Sequence, residues 1–197
     1  MIFPTMLGIL LASLAFPSSN KQPELKTAQT AEVLEILEEK LKAPEPDFVK
    51  LIFTGDIMLD RGVKKSVLKN FAGDYGRLFE NLDFLKDFDI VFANLEGPVS
   101  DKGKNKRNLY SFRMDPATIT ALKDTGINIV SVANNHVEDW GRKAYEDSLA
   151  RLKENGILYT GGGIDSLEAE TPAIFEKYGM KIGFLGFSDV GPKDFSA

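Results

Sequence analysis

Four short apolar runs, each closed by polar residues and separated by segments with helical spacing, constrain this chain more than any other feature. "FVKLIFTG", starting at Phe48, reads as a buried strand ended by glycine, and "DIVFAN" (Asp89–Asn94), "INIVSVAN" and the shorter "ILYTGGG" read the same way. A helical region, Gly62–Leu85, separates the first two. "PATITALKDTG" is a helix opened by Pro116 and closed by Gly126, using proline's fixed φ at the start and glycine's freedom at the end. "RKAYEDSLARLKENG" is another, ending at Gly156. This alternation predicts an α/β fold on a largely parallel sheet, because parallel neighbours need a crossover long enough to hold a helix. "AIFEKYGMKIGFLGFS" is expected to form a hairpin turning at Tyr178–Gly179–Met180.

Open parallel sheets bind ligands beyond the carboxyl ends of their strands. Here the first run is followed by Gly55–Asp56, the second by Asn94–Leu95–Glu96, the third by Asn134–Asn135–His136, and the hairpin strand by Ser188–Asp189. His136 is the only histidine in the chain. Taken alone, its segment reads equally well as a helix cap, with Asn134 or Asn135 satisfying free N–H groups. Turns, however, need only Gly, Asn, Asp or Ser, and Glu96 and His136 are neither. Repetition at successive strands therefore favours a site at one sheet edge. Carboxylate, carboxamide and imidazole form a hard-to-borderline donor set, suited to Mn²⁺, Mg²⁺, Zn²⁺ or Fe²⁺.

Composition narrows the class. A chain of 197 residues is long enough for one domain with a substantial core. Its 43% apolar and 27% charged residues are those of a soluble globular protein. A net charge of −5 argues against general nucleic-acid binding, since little would neutralise the phosphates. The absence of cysteine excludes disulfides, thiolate metal sites, cysteine nucleophiles and a lipid-modified cysteine. In "MIFPTMLGILLASLAFPSS" the apolar stretch Met6–Phe16 is shorter than the roughly 20 residues that span a bilayer. Ser13 and Ala15 fit a small-x-small cleavage site, although no lysine or arginine precedes the stretch. Residues 1–17 are thus expected to be a signal peptide or N-terminal anchor, with export to the cell envelope or the extracellular face of the membrane. Residues 18–47 read as a polar segment, an amphipathic helix "TAEVLEILEEKLK" and a Pro-rich linker. The folded domain spans 48–197.

"FTGDIMLDRGV", "DIVFANLEGPVSD" and "VSVANNHVEDWGRKAYEDSLARLKENGI…GGG" together resemble the bacterial CapA capsule-synthesis proteins. That family is tied to poly-γ-glutamate capsule production and has a calcineurin-like metallophosphatase fold. The resemblance runs from about Phe48 to the C-terminus. It implies that Asp56 is the first metal-binding aspartate. It also implies that Asn94 and Glu96 occupy the second acidic motif with Glu96 a ligand, and that Asn135 and His136 form the Asn-His pair, asparagine on metal and histidine aimed at substrate. A metal polarises an ester or anhydride oxygen while the imidazole protonates the leaving group. Asp139, three residues beyond His136, is placed to fix its tautomer. Arg61 and Asn134 are expected to contact substrate, Arg61 through a charge-assisted bond to an anionic oxygen. The usual metallophosphatase opens Asp-x-His, but here Ile57 and Met58 follow Asp56, which removes one ligand.

Three weaker signals remain. "DKGKNKRN" (Asp101–Asn108) is either a solvated loop or a contact for a polyanion, with Lys106 as the candidate. "TGGG" (Thr160–Gly163) can offer N–H groups to a phosphate but lacks the Walker pattern. Trp140 is either core or pocket wall. The resemblance implies capsule polymer synthesis, release or attachment, with an anionic polymer or phosphoester as substrate and membrane-bound polyglutamate synthase subunits as partners. The alternative is a non-catalytic accessory subunit. CapA sequences normally continue with a Gly-His-His-Pro-His-like element absent here. The chain is therefore expected to be the N-terminal part of a metallophosphatase-like α/β sandwich, binding divalent metal weakly and leaving one side of its sheet unpaired.

Overall fold

The computed structural model describes residues 31–32 and 46–190. The chain divides into two compact units, Met1–Pro44 and Glu45–Ala197. In the first, residues 31–32 are helical; the expected leader 1–17 and the rest of the amphipathic helix lie outside the described residues. Among the described residues, no helix is long and apolar enough to cross a membrane.

Four strands of the second unit form a parallel sheet in sequential order: β1 (Leu51–Ile57), β2 (Ile90–Leu95), β3 (Ile129–Ser131) and β4 (Leu158–Thr160). Helices α1 (Arg61–Phe71), α2 (Ala117–Thr125) and α3 (Arg142–Glu154) lie in the connections, and a short α4 (Ser166–Glu170) follows β4. Right-handed crossovers between strands taken in sequence place the connecting helices on one face of the sheet. The period of two along β2 shows this. Val91, Ala93 and Leu95 join Ile119 and Leu122 of α2 and Leu149 and Leu152 of α3 in the main core. Ile90 and Phe92 face the other way.

The second face is covered by the antiparallel pair β5 (Ala173–Lys177) and β6 (Met180–Phe184). Ala173 and Phe184 pack on Ile90 and Ile129, with Leu51, Phe92, Phe175 and Ile182 around them. The turn is the expected one: Tyr178 (φ 50°) and Gly179 (φ 72°) are both left-handed, as a two-residue hairpin loop of matching twist requires. Asp89 ties this hairpin to the sheet, accepting Lys177 Nζ at 2.5 Å and the Lys50 N–H at 2.8 Å. The Lys177 and Lys50 hydrogen bonds hold the Asp89 carboxyl below the usual range against the effect of burial.

Three strand ends differ from expectation. β1 does not stop at Gly55. Phe53 pairs with Phe92 and Asp56 with Asn94, so β1 takes three steps where β2 takes two and carries one extra residue. β3 is shorter than "INIVSVAN" suggests because side chains replace the ladder at both ends. Asn128 Oδ1 accepts the Val91 N–H at 3.0 Å, and Ser131 Oγ accepts the Ala133 N–H at 3.2 Å. β6 ends at Phe184, outside the parallel sheet, so Ser188–Asp189 do not follow a strand of that sheet, and Ser188 Oγ bonds locally to the Val190 carbonyl.

Candidate functional site

The extra residue in β1 decides what Asp56 can do. In unbroken register with Phe53, Asp56 would pair with Leu95 and share its face, inside the helix-side core. The bulge shifts every later residue to the opposite face. Ile57 then pairs with Leu95 and enters the core, while Asp56 stands beside Asn94 at the sheet edge.

Asn94 joins the carboxylates. Its Nδ2 donates to Asp56 Oδ1 at 2.8 Å and to Glu96 Oε2 at 2.5 Å, using both amide hydrogens. Its Oδ1 accepts from Asn134 Nδ2 at 3.1 Å. Asn134 is buried and fully engaged: Nδ2 also donates to the Leu95 carbonyl at 2.8 Å, and Oδ1 accepts the His136 N–H at 3.0 Å. That last bond is an Asx turn, and it swings the chain from β3 toward Glu96. Asn135 is exposed and makes no side-chain hydrogen bond among the described residues. Of the two neighbouring amides, the first supports the cluster and the second faces out.

His136 completes the edge. Its Nε2 lies 3.7 Å from Glu96 Oε1, and its Nδ1 lies 2.7 Å from Asp139 Oδ2. Asp139 is 1% exposed. An ionised carboxylate only accepts, so Nδ1 carries the proton and donates it to Asp139. Asp139 also accepts Asn108 Nδ2 at 2.8 Å and the Phe112 N–H at 2.7 Å. The Phe112 ring lies 4.1 Å from the imidazole, centroid to centroid.

Arg61, the first residue of α1, is held at φ 53°, a left-handed conformation uncommon outside glycine and costly for a side chain of this size. Its guanidinium sits 5.3 Å from the Tyr110 ring and 5.9 Å from the Phe112 ring. Among the described residues it pairs with no carboxylate. Lys106 is different: Nζ pairs with Glu138 at 3.0 Å. The whole Asp101–Asn108 loop is fastened down. Lys102 pairs with Asp147 at 2.6 Å, Asp101 with Arg151 at 2.9 Å, and the Lys104 and Lys106 N–H groups donate to the Trp140 and Asp139 carbonyls. Burial would raise Asp147, but hydrogen bonds from Lys102, Ser100 and Arg151 outweigh it and hold the carboxyl at about 2. Trp140 packs under Arg113, whose guanidinium carbon is 3.6 Å from the ring centre. The Thr160–Gly163 run serves close packing. A Cβ on Gly161 would fall 2.7 Å from the Gly186 carbonyl oxygen, and one on Gly162 2.2 Å from the Tyr145 hydroxyl.

Hard oxygen donors meet at this edge, and neither Asp56 nor Glu96 has a lysine or arginine partner among the described residues. In kind, the set suits a hard divalent cation. In number it is sparse, since no three His, Asp or Glu groups among the described residues converge closely enough to form a metal site. Sequence reasoning missed Asn108, Phe112 and Asp60 altogether; no local pattern marks them, because each acts on a partner far along the chain.

A family model described as bacterial capsule synthesis protein PGA_cap matches residues 50–196. The chain is 30% identical over 155 residues to the capsule biosynthesis protein CapA of Bacillus anthracis, covering 76% of this chain and 37% of that protein. It is 28% identical over 161 residues to the PGA biosynthesis protein CapA of Bacillus subtilis (80% and 42% covered). A probable polyglutamine synthesis accessory protein of Mycobacterium tuberculosis is 28% identical over 164 residues (67% and 43% covered). The chain therefore spans less than half the length of these relatives. With its matching segment covering the whole described α/β unit from β1 onward, the chain belongs to the bacterial capsule synthesis protein PGA_cap family.

Proposed function

We propose that this chain works in the synthesis, release or attachment of poly-γ-glutamate capsule polymer at the cell envelope, through a metal-assisted hydrolysis or transfer at the edge described above. The observation that carries the reading is the pairing of two carboxylates, Asp56 and Glu96, through one amide with no lysine or arginine partner among the described residues, Glu96 Oε1 lying 3.7 Å from His136 Nε2. Asp56 and Glu96 would hold Mn²⁺, Mg²⁺, Zn²⁺ or Fe²⁺, and the family resemblance adds the exposed Asn135 amide oxygen as a third donor. When bound, the cation polarises a phosphoester or amide oxygen of the substrate. His136, unprotonated at Nε2 when Nδ1–H is held by Asp139, takes a proton there from the attacking water or acceptor hydroxyl and passes it to the leaving group. Arg61 takes an anionic oxygen, a phosphate or a glutamate carboxylate, and its stacked guanidinium presents the donor fork already ordered. The resemblance to calcineurin-like metallophosphatases supports these assignments at Asp56, Glu96, Asn135 and His136. The relatives' names support the polymer, and the apolar Met6–Phe16 segment supports export. Membrane-bound polyglutamate synthase subunits are the natural partners.

A second reading, a non-catalytic accessory subunit holding polymer in the same cleft, is favoured by the sparse donor set and by the accessory role in the mycobacterial relative's name. The two separate in one experiment. Purified chain is incubated with poly-γ-glutamate and with a generic phosphodiester, in Mn²⁺ and in EDTA, and both polymer length and binding are followed. Turnover that EDTA and His136→Ala abolish supports the enzyme. Polymer binding unchanged by EDTA, without turnover, establishes the accessory subunit in its place.

A further inference from the structure

Asp139 Oδ2 is shared by His136 Nδ1 and the Phe112 N–H, while Oδ1 is held by Asn108 Nδ2. Two of the three donors on this buried carboxylate therefore come from a single stretch, 108–113. Gripping Oδ1 fixes rotation about the Cβ–Cγ bond of Asp139, and that fixes where Oδ2 meets the imidazole. The same stretch supplies the Phe112 ring, which lies against one face of His136. The floor beneath it is tight: a Cβ on Gly97 (φ 102°) would come within 3.2 Å of Phe112 Cβ. Its far end is anchored three times, by the Arg113 N–H on Asp60 Oδ2 at 2.8 Å, by Arg113 Nη1 on the Lys102 carbonyl at 2.9 Å, and by the stacking on Trp140. Leu109 and Tyr110, between these anchors, are exposed at 89% and 54%.

We propose that residues 108–113 form a positioning strap for His136, in which Asn108 acts through Asp139 to fix one tautomer and Phe112 fixes the plane of the ring. Asn108 is a positioning residue, since it touches Asp139 and not the reacting edge. Asp60 belongs to the same device: by holding the Arg113 N–H it ties the strap to the start of α1, where Arg61 projects over Tyr110 and Phe112. Imidazole and guanidinium are thereby set against a common aromatic surface. The inference concerns the geometry of the metal-free chain and stands apart from the proposed activity.

The single histidine makes the test direct. With ¹⁵N-histidine labelling, the full chain in metal-free, mildly alkaline buffer gives one imidazole in the long-range ¹H–¹⁵N spectrum. The wild type is expected to show the Nδ1–H tautomer alone, with a slowly exchanging, far-downfield Nδ1 proton and ring protons shifted by Phe112. In Asn108→Ala, the downfield proton should be lost and the two nitrogen shifts should move toward a tautomer average. Lys104→Ala, in the same loop, should leave both unchanged. Phe112→Leu keeps the backbone N–H and therefore the tautomer, but should remove the ring-current shift; it decides the matter if Asn108→Ala does not fold. Averaged tautomers in the wild type, a folded Asn108→Ala with wild-type imidazole shifts, or unmoved ring protons in Phe112→Leu would overturn the proposal.

Discussion

Asp56, near the end of β1, and Asp139, in the segment between β3 and α3, are both aspartates of this site, yet their surroundings are opposite. Asp139 is buried and satisfied by an amide, a backbone N–H and an imidazole. Asp56 is exposed and shares a single amide with Glu96. The first carboxylate is a finished part of the fold, held by the protein's own donors. The second stands in a pair of like charges that only a shared amide relieves, an arrangement that gains from an external cation. The imidazole half of the site is thus built to keep its geometry, and the carboxylate half to receive something.

The sharpest way to break this contrast is to remove each carboxylate. Asp139→Ala removes the buried acceptor of three donors, Asn108 Nδ2, the Phe112 N–H and His136 Nδ1, and should destabilise the chain by about 2–4 kcal/mol in urea unfolding. Asp56→Ala should change stability by under about 0.5 kcal/mol, or raise it by easing repulsion with Glu96. Equal losses from both would erase the distinction.

Acid acts next, on two hydrogen-bonded carboxylates, of which Asp147 fastens the loop that carries Asn108. Asp147 is held at about 2 by its Lys102, Ser100 and Arg151 bonds against burial. Glu168 is held at about 2 by the Ile164 N–H, Lys153 and Tyr159, likewise against burial. A lowered folded pKa stabilises fully above the unfolded value and loses that contribution as protons bind the folded state. Their contribution should be complete above pH 4.5 and vanish as pH falls to about 2. Unfolding midpoints measured across that window should drop, and the drop should be shallower in Asp147→Asn.

At Arg61 a stabilising substitution is expected. Its side chain is exposed and its backbone is strained, so Arg61→Gly should stabilise by up to about 1 kcal/mol while weakening poly-γ-glutamate binding. A loss of stability with binding intact would assign Arg61 to the fold.

Much of this edge was legible in the chain itself. Apolar runs marked the four strands, and the strand ends marked Asp56, Glu96 and His136, because burial and termination are local properties. The failures have a common cause in long-range pairing. Nothing in "FTGDI" announces that the strand continues through Gly55, since the bulge exists only against β2. Asn134 and Asn135 are chemically identical, and only the Asx turn to His136 selects which one points inward. The lysine cluster read as either a solvated loop or a polyanion contact, and its pairing with Glu138 and Asp147 rests on residues more than thirty positions away. Asn108 carries no signature, because its partner is thirty-one residues away.

The central claim, that Asp56 and Glu96 await a divalent cation, is tested most directly by unfolding the chain in rising Mn²⁺. A ligand that binds only the folded state stabilises by RT ln(1 + [L]/Kd), about 1.4 kcal/mol at ten times Kd. With so few strong ligands, half-saturation is expected near roughly 0.1–1 mM, the range of sparse carboxylate sites. Wild type is expected to gain stability along this curve while Asp56→Asn/Glu96→Gln gains none. An identical gain in both proteins would contradict it.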